Sequence, residues 1–309
     1  MASEHDGHCH DDCSEHEQED DGWIEMERVY NEKSTEEQSL IEWFTKNVQV
    51  YLKSERRTTG GKYAVLSFGC GSGAKDRAVL AAVSSKVSEE EKILYHAVDP
   101  EASQIERFKE SVHACNGSLE KVSFDFYVQT YENYMETVFK NENSSSKANL
   151  ILFIDSLCHF SSTNEDVLVH CYNNVLAKNG AILVTLWNNQ DFWFKIRETF
   201  GKDRESKREE KEGNDYLTIQ EVEEVVKKRG WDFQRFSPEY SLDITECFDP
   251  ASQTGKYLFD CLACFSNVAD EVKSDPKKLF KFLKDSESII GDKHFLKGEH
   301  GILVIYKQE

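Results

Sequence analysis

Proline is scarce in this chain, four in 309 residues, and basic side chains are few, 37 Lys and Arg against 57 Asp and Glu. The shortage of positive charge leaves a formal net charge of −20, the opposite of what a protein that neutralises a phosphate backbone carries. Nucleic acid is therefore not an expected substrate, and a cationic small molecule suits such a field better. No apolar run is long enough to cross a bilayer, and the first twenty-odd residues are acidic without the apolar stretch of a signal peptide. The nine cysteines are scattered through apparent strands and helices, with no framework of paired spacings. Without a secretory signal they are expected as reduced thiols, in a cytoplasmic monomer with no membrane partner.

What is present suffices for a core. Hydrophobic residues make up 39% and aromatic ones 12% of the chain, and the length suits one large α/β domain with insertions. Residues 1–21 hold nine acids and no Lys or Arg, so a disordered tail over residues 1–22 is expected. The mixture of His5, His8, Cys9, His10, Cys13 and His16 has no closed zinc spacing, and no metal is expected anywhere in the chain.

Order is expected from Trp23 onward. Ser34-Thr35-Glu36-Glu37 reads as a capping box, opening a helix with Leu40, Ile41, Phe44, Val48 and Leu52 at helical spacing. Buried strands are expected at Tyr63–Phe68, Ile93–Val98, Val122–Val128, Leu150–Ile154 and Ala181–Trp187. Helices marked by Val79, Val83 and Val87, then by Ile105, Phe108 and Val112, fall between them, and Ser162 or Thr163 caps a further one. Thr218–Glu221 opens a helix that stops at Gly230, followed by a strand at Trp231–Phe236. A closing strand is expected at Gly301–Tyr306. Strand and helix alternating at this spacing predict an α/β fold, a mostly parallel sheet with helices on both faces. Residues 238–298 break the alternation. With about 23–52 and 188–215, they form an expected accessory substrate-binding region.

Three features carry chemistry when taken together. Gly69-x-Gly71-x-Gly73 lies between the first strand and its helix, where glycines let backbone approach a ligand beside free N–H groups. Asp99 ends the second strand, where a carboxylate can accept from both hydroxyls of a ribose. Asp155 follows the fourth strand, at the edge where such a sheet opens a crevice. The set suits a nicotinamide dinucleotide or S-adenosylmethionine (SAM). Asp99 lies 30 positions after Gly69, longer than the roughly 20 of the dinucleotide fingerprint, and no second nucleotide-binding half is evident. SAM is favoured.

On these motifs the chain resembles the class I SAM-dependent methyltransferases, and within them the histamine N-methyltransferases, from about Val29 to Tyr306. Asn31–Gln38 is similar to their substrate-reaching segment, and Leu66–Gly73 to their glycine loop, with Ser67 where most class I enzymes have an acid. Asp99–Ile105 is similar to their ribose-binding turn, with aspartate for glutamate, and Asp243–Phe248 to a stretch of their accessory region. The resemblance implies a Rossmann-like, seven-stranded, mostly parallel sheet. It also implies cofactor contacts from Gly69, Asp99, Gln104 and Ile154, flanked by Cys70, Gly71, Gly73 and Pro100. Tyr131 stands where the family has a small hydroxyl residue. Glu36 and Trp193 fall in the substrate pocket by the same comparison.

The pocket also departs from the pattern. Asp155 replaces a glutamine, Cys158 and His159 replace two tyrosines, and an asparagine near the last strand aligns only as far as Gly298 or Glu299. The expected catalytic set is Asp155, Glu36 and His159. For several of these a simpler role also stands: first-turn acid for Glu36, strand-end cap for Asp155, surface or cap for His159, core for Trp193. The expected reaction is an in-line displacement in which a small-molecule amine or imidazole nitrogen attacks the SAM methyl. A histidine-containing dipeptide or a phenol as acceptor, or a silent SAM-binding protein, are the alternatives. The Asn-Pro-Pro-Tyr type of motif of nucleic-acid and glutamine methyltransferases is absent after the fourth strand, where Asp155-Ser156-Leu157-Cys158 stands.

Overall fold

The computed structural model describes residues 25–52, 62–88, 90–115, 119–140, 147–160, 163–201, 217–266 and 268–308. The acidic tail, Trp23, Ser162 and the residues from 202 to 215 of the expected accessory region lie outside the described residues. The chain divides into two compact units, Glu36–Tyr240 with Lys297–Glu309, and Met1–Thr35 with Ser241–Leu296. Of the three accessory segments expected from sequence, residues 36–52 and 188–201 thus fall in the larger unit.

The larger unit is built on a sheet whose strands are β1 (Lys62–Phe68), β2 (Lys92–Asp99), β3 (Val122–Val128), β4 (Ala148–Ile154), β5 (Leu176–Trp187), β6 (Asp232–Phe236) and β9 (Lys293–Tyr306). Their order is β3-β2-β1-β4-β5-β9-β6. Strands β1 to β5 are parallel, and β9 is antiparallel to both β5 and β6. This is the seven-stranded Rossmann-like sheet of the class I methyltransferase fold, with β7 (Glu239–Asp243) and β8 (Ser288–Ile290) added on β9. The chain leaves β1 towards β2 on one side and pairs with β4 on the other. The carboxyl ends of β1 and β4 therefore flank the point where strand order reverses, the usual place for a ligand crevice.

The central strands are buried on both faces because period-two alternation sends successive side chains to opposite layers. Val65, Ile93, Tyr95 and Ala97 enter one apolar cluster. Leu66, Phe68, Val98, Ile151 and Phe153 enter the other. Helices α2 (Glu36–Lys46), α3 (Ala74–Ser84) and α4 (Ala102–Ala114) contribute Leu40, Phe44, Val79, Val83, Ile105 and Phe108 to the first cluster. Helices α5 (Asn164–His170) and α7 (Ile219–Arg229) contribute Val167, Leu168, Val222 and Val226 to the second. Each such fully buried Val, Leu, Ile or Phe contributes roughly 1.5–3 kcal/mol against exposure.

Two of the expected helix starts hold. Thr163 accepts from the Asp166 N–H, and Glu221 accepts from the Thr218 N–H at 2.8 Å, with Gly230 ending α7 in the left-handed region. A third, at Ser34–Glu37, opens α2 at Glu36 as expected, and it carries a further contact. The Thr35 hydroxyl accepts from the Ser241 N–H at 2.9 Å, fastening the start of the chain to β7, and Ser34 bridges Leu242. The expected continuous helix also breaks at Asn47, with a short turn at Val48–Tyr51 after it. Strand β5 starts five residues before the expected Ala181 because its pairing with β4 shifts register between Ala148 and Leu150.

The smaller unit holds helix α1 (residues 25–33), α8 (Gln253–Phe265), α9 (Ala269–Ser274), α10 (Pro276–Ser286) and the β8–β9 hairpin. Glu246 organises it, receiving Lys33 and the Ser252 hydroxyl, each at 2.6 Å. Gly255 packs so closely on the Glu246 carbonyl that an added Cβ would stand 2.0 Å from its oxygen. No described helix is long and apolar enough to cross a membrane.

Candidate active site

The turn after β1 is held by contacts that only glycine permits. Gly69 has φ +67, donates its N–H to the Val98 carbonyl at 2.8 Å, and would bring a Cβ within 2.5 Å of Ser156 Cβ. Ser156 in turn donates its hydroxyl to the Phe68 carbonyl at 2.6 Å, tying the ends of β1 and β4 together. Gly73 precedes α3 at φ +73, and a Cβ there would lie 2.3 Å from the Phe108 ring. Gly71 differs: an added Cβ would meet nothing within 4 Å, so open space lies beside the middle of the loop. Cys70 is turned inward and buried, and burial pushes its thiol well above the ordinary range.

Asp99 is 6% exposed. Its carboxylate accepts the Gly71 N–H at 2.8 Å through Oδ2 and the Glu101 N–H at 2.9 Å through Oδ1. A carboxylate offers about four lone-pair sites, so about two remain, the number a vicinal diol would take. Together with the space beside Gly71, this donor-and-acceptor set fits an adenosine ribose. Pro100 is exposed beside it, Gln104 is half-buried in the first turn of α4, and Ile154 is buried at the end of β4. Tyr131 is directed elsewhere. Its hydroxyl meets His170 Nδ1 at 2.7 Å and its ring packs edge-on against Phe68, within the core. The exposed small hydroxyl at the carboxyl end of β3 belongs to its neighbour Thr130, which caps the following turn.

Asp155 and Glu36 come together through a residue the sequence analysis did not select. His300 is 1% exposed. It stands opposite Trp187 in the antiparallel β5–β9 register, which brings it beside the ends of β4 and β5. Its Nδ1–H donates to Glu36 Oε1 at 3.0 Å and its Nε2–H to Asp155 Oδ1 at 2.8 Å. Burial opposes the charge on this ring, but Asp155 and Glu36 outweigh it and raise the pKa to about 9, so the imidazole is an imidazolium at neutral pH. Asp155 Oδ1 also accepts the Thr185 hydroxyl at 2.8 Å, and Oδ2 accepts from the Lys75 ammonium. Burial alone would raise the Asp155 carboxyl; Lys75 and His300 overcome it and hold the group well below the usual carboxylate range. The residue has φ +54, a backbone state that Asp tolerates better than most. Its N–H is anchored on the Thr185 carbonyl at 3.0 Å.

The result is an alternating chain of charges, Lys75, Asp155, His300 and Glu36, beside the glycine turn. Neither Lys75 nor Thr185 was selected from sequence. The polar Thr185 inside the apolar run of β5 is the signal that could have been noticed. His300 lies one residue past Glu299, where the alignment of the family's asparagine stops.

The other expected pocket residues lie just after β4 and β5. His159 is exposed and Cys158 half-buried on the turn after β4. Trp193 is 2% exposed and stacks on Trp187 at 5.9 Å. Its N–H donates to Asp191 at 3.0 Å, and Asp191 also accepts the Glu299 N–H at 2.9 Å. Burial lifts the Asp191 carboxyl to about 6. This fully buried acid pins the start of α6 (Phe192–Gly201) to the strand that carries His300.

The profile of a family described as "Methyltransferase domain" matches residues 24–235. Histamine N-methyltransferase of Cavia porcellus is 26% identical over 271 residues, covering 87% of this chain and 89% of that protein. Carnosine N-methyltransferase 2 of Gallus gallus is 24% identical over 250 residues, covering 79% of this chain and 73% of that one. Among solved structures, the plantazolicin methyltransferase BpumL in complex with SAH superposes with a TM-score of 0.44 at 15% identity, over 92% of this chain and 89% of that one.

Proposed function

This chain belongs to the methyltransferase-domain family, is a SAM-dependent methyltransferase, and we propose that its acceptor is the imidazole or amine nitrogen of a small molecule. The observation that carries this reading is the convergence of two carboxylates, Glu36 and Asp155, on one imidazole at the carboxyl edge of the sheet. Carboxylates so placed suit an N–H donor better than an anionic oxygen, while His300 and Lys75 leave the cluster without net charge. SAM supplies a methyl group already activated by its sulfonium charge. The tasks left to the protein are therefore to orient the acceptor and to stabilise the charge that develops on nitrogen.

The glycine turn and Asp99 would hold the adenosine end of the cofactor. Asp155 stays ionised, because Lys75 and His300 lower its affinity for a proton. It therefore acts as a fixed negative charge near the reacting nitrogen, not as a store for the proton that nitrogen releases. Glu36 anchors the acceptor's second polar group. The printed names of the relatives, a histamine and a carnosine enzyme, support an imidazole-bearing acceptor.

The split between kcat and KM tests these roles. Asp155→Asn removes a charge that matters most as the transition state becomes cationic, so kcat should fall more than KM rises. Glu36→Gln should act mainly on KM. Both variants should still bind SAM in calorimetry. An Asp155→Asn enzyme with unaltered kcat on its best amine contradicts the assignment.

A further inference from the structure

Lys75 occupies the open end of the charge chain. It is the second residue of α3, directly after the glycine turn, and its side chain is 28% exposed. An ammonium has three N–H donors, and among the described residues the one hydrogen-bond acceptor it meets is Asp155 Oδ2. Two of its donors therefore remain for a ligand. Burial works against its charge, but Asp155, then Glu36 and Glu37, raise its pKa, so it stays cationic throughout the physiological range.

The balance of the whole cluster points the same way. Lys75 and His300 are positive and Asp155 and Glu36 negative, so the two signs cancel. A purely cationic molecule entering the site would meet no net attraction and would approach an ammonium. A molecule that also carries a carboxylate would satisfy the spare Lys75 donors with charge-assisted hydrogen bonds.

We propose that Lys75 receives a carboxylate in the loaded site. The group is supplied either by the amino-acid moiety of the methyl donor or by a zwitterionic acceptor. The inference rests on the SAM-dependent reading above and names the chemistry that Lys75 adds to it.

The test compares ligand pairs that differ only by the carboxylate. Calorimetry measures SAM against decarboxylated SAM, and turnover measures histidine against histamine, each with wild type, Lys75→Met and Lys75→Arg. One charge-assisted contact of about 1.5–3 kcal/mol corresponds to roughly a ten- to hundredfold preference. Wild type should show that preference in one of the two pairs, Lys75→Met should erase it, and Lys75→Arg should keep most of it. Loss in the donor pair assigns the carboxylate to the cofactor, and loss in the acceptor pair assigns it to the substrate. Removing Lys75 also uncovers the Asp155 charge, which repels a carboxylate, so Lys75→Met is paired with the double variant Lys75→Met/Asp155→Asn, in which the preference should be absent as well. A wild type that binds SAM yet prefers the carboxylated member of neither pair, or a preference that survives in Lys75→Met, overturns the proposal. A wild type that binds neither form of the donor overturns the underlying reading instead.

Discussion

His300 should make the stability of this protein depend on alkaline pH in a way one substitution removes. The native imidazolium is fully buried between Glu36 and Asp155, and its pKa rises from the ordinary 6.5 to about 9. A raised native pKa means that the native state binds the proton more tightly than the unfolded chain. The stabilisation is therefore complete below 6.5 and is lost as pH rises through about 9. At about 1.4 kcal/mol per pH unit, that interval corresponds to about 3.5 kcal/mol.

The charged groups facing the ring are Glu36 and Asp155, with Lys75 beyond Asp155. Asp155 and Lys75 keep their charges across this window. His300→Gln retains an N–H donor for one carboxylate but has no proton to lose, so its stability should be lower at pH 6 and flatter between pH 6 and pH 10. The assay is urea unfolding of both proteins at a series of pH values. Taking the difference between them cancels the thiols and other groups that titrate in the same range. Wild type should lose roughly 2–4 kcal/mol more than the variant between pH 6 and pH 10. Parallel curves would show that the ring is not held as an imidazolium, and the charge chain would fall with it.

Two further outcomes follow from the cofactor turn. Asp99→Ala removes the acceptor of two backbone N–H groups and of the expected ribose hydroxyls, so SAM should bind roughly ten- to a hundredfold more weakly; calorimetry showing unchanged affinity would contradict this placement. Gly73→Ala forces a methyl into the Phe108 ring at positive φ and should cost upwards of about 2 kcal/mol in urea unfolding. Gly71→Ala, with open space at φ +52, should cost only about 1–2 kcal/mol of stability while weakening SAM. A Gly71→Ala protein that binds SAM as tightly as wild type would place the cofactor elsewhere.

The fold was legible in the sequence because the central strands are short apolar runs ended by Gly69, Asp99 and Asp155, a pattern that belongs to buried parallel sheets. Local chemistry at Thr163 and Thr218 marked helix starts reliably, since those caps depend on residues three positions away. Thr35 also marks a helix start, but its contact with a strand more than two hundred positions later has no local signal. The site was legible in part. Asp155 and Glu36 could be picked out by their type and place, but their joining through His300 depends on the antiparallel register of β9, which no local pattern encodes. Lys75 has the most ordinary setting of all, a lysine in the first turn of a helix, and only the left-handed backbone at Asp155 and the helix that follows Gly73 bring them together. Tyr131 shows that place in a motif does not fix direction, since its side chain turns into the core.

Transfer of a labelled methyl group from SAM to a panel of imidazoles, primary amines, histidine-containing dipeptides and phenols tests the central claim most directly, with the methylated atom located by NMR. The account predicts label on a ring or amine nitrogen, with turnover on the best imidazole or amine acceptor well above that on any phenol. Label on a phenolic oxygen in preference to every nitrogen, or no transfer to any member of the panel by a protein that binds SAM, would contradict it.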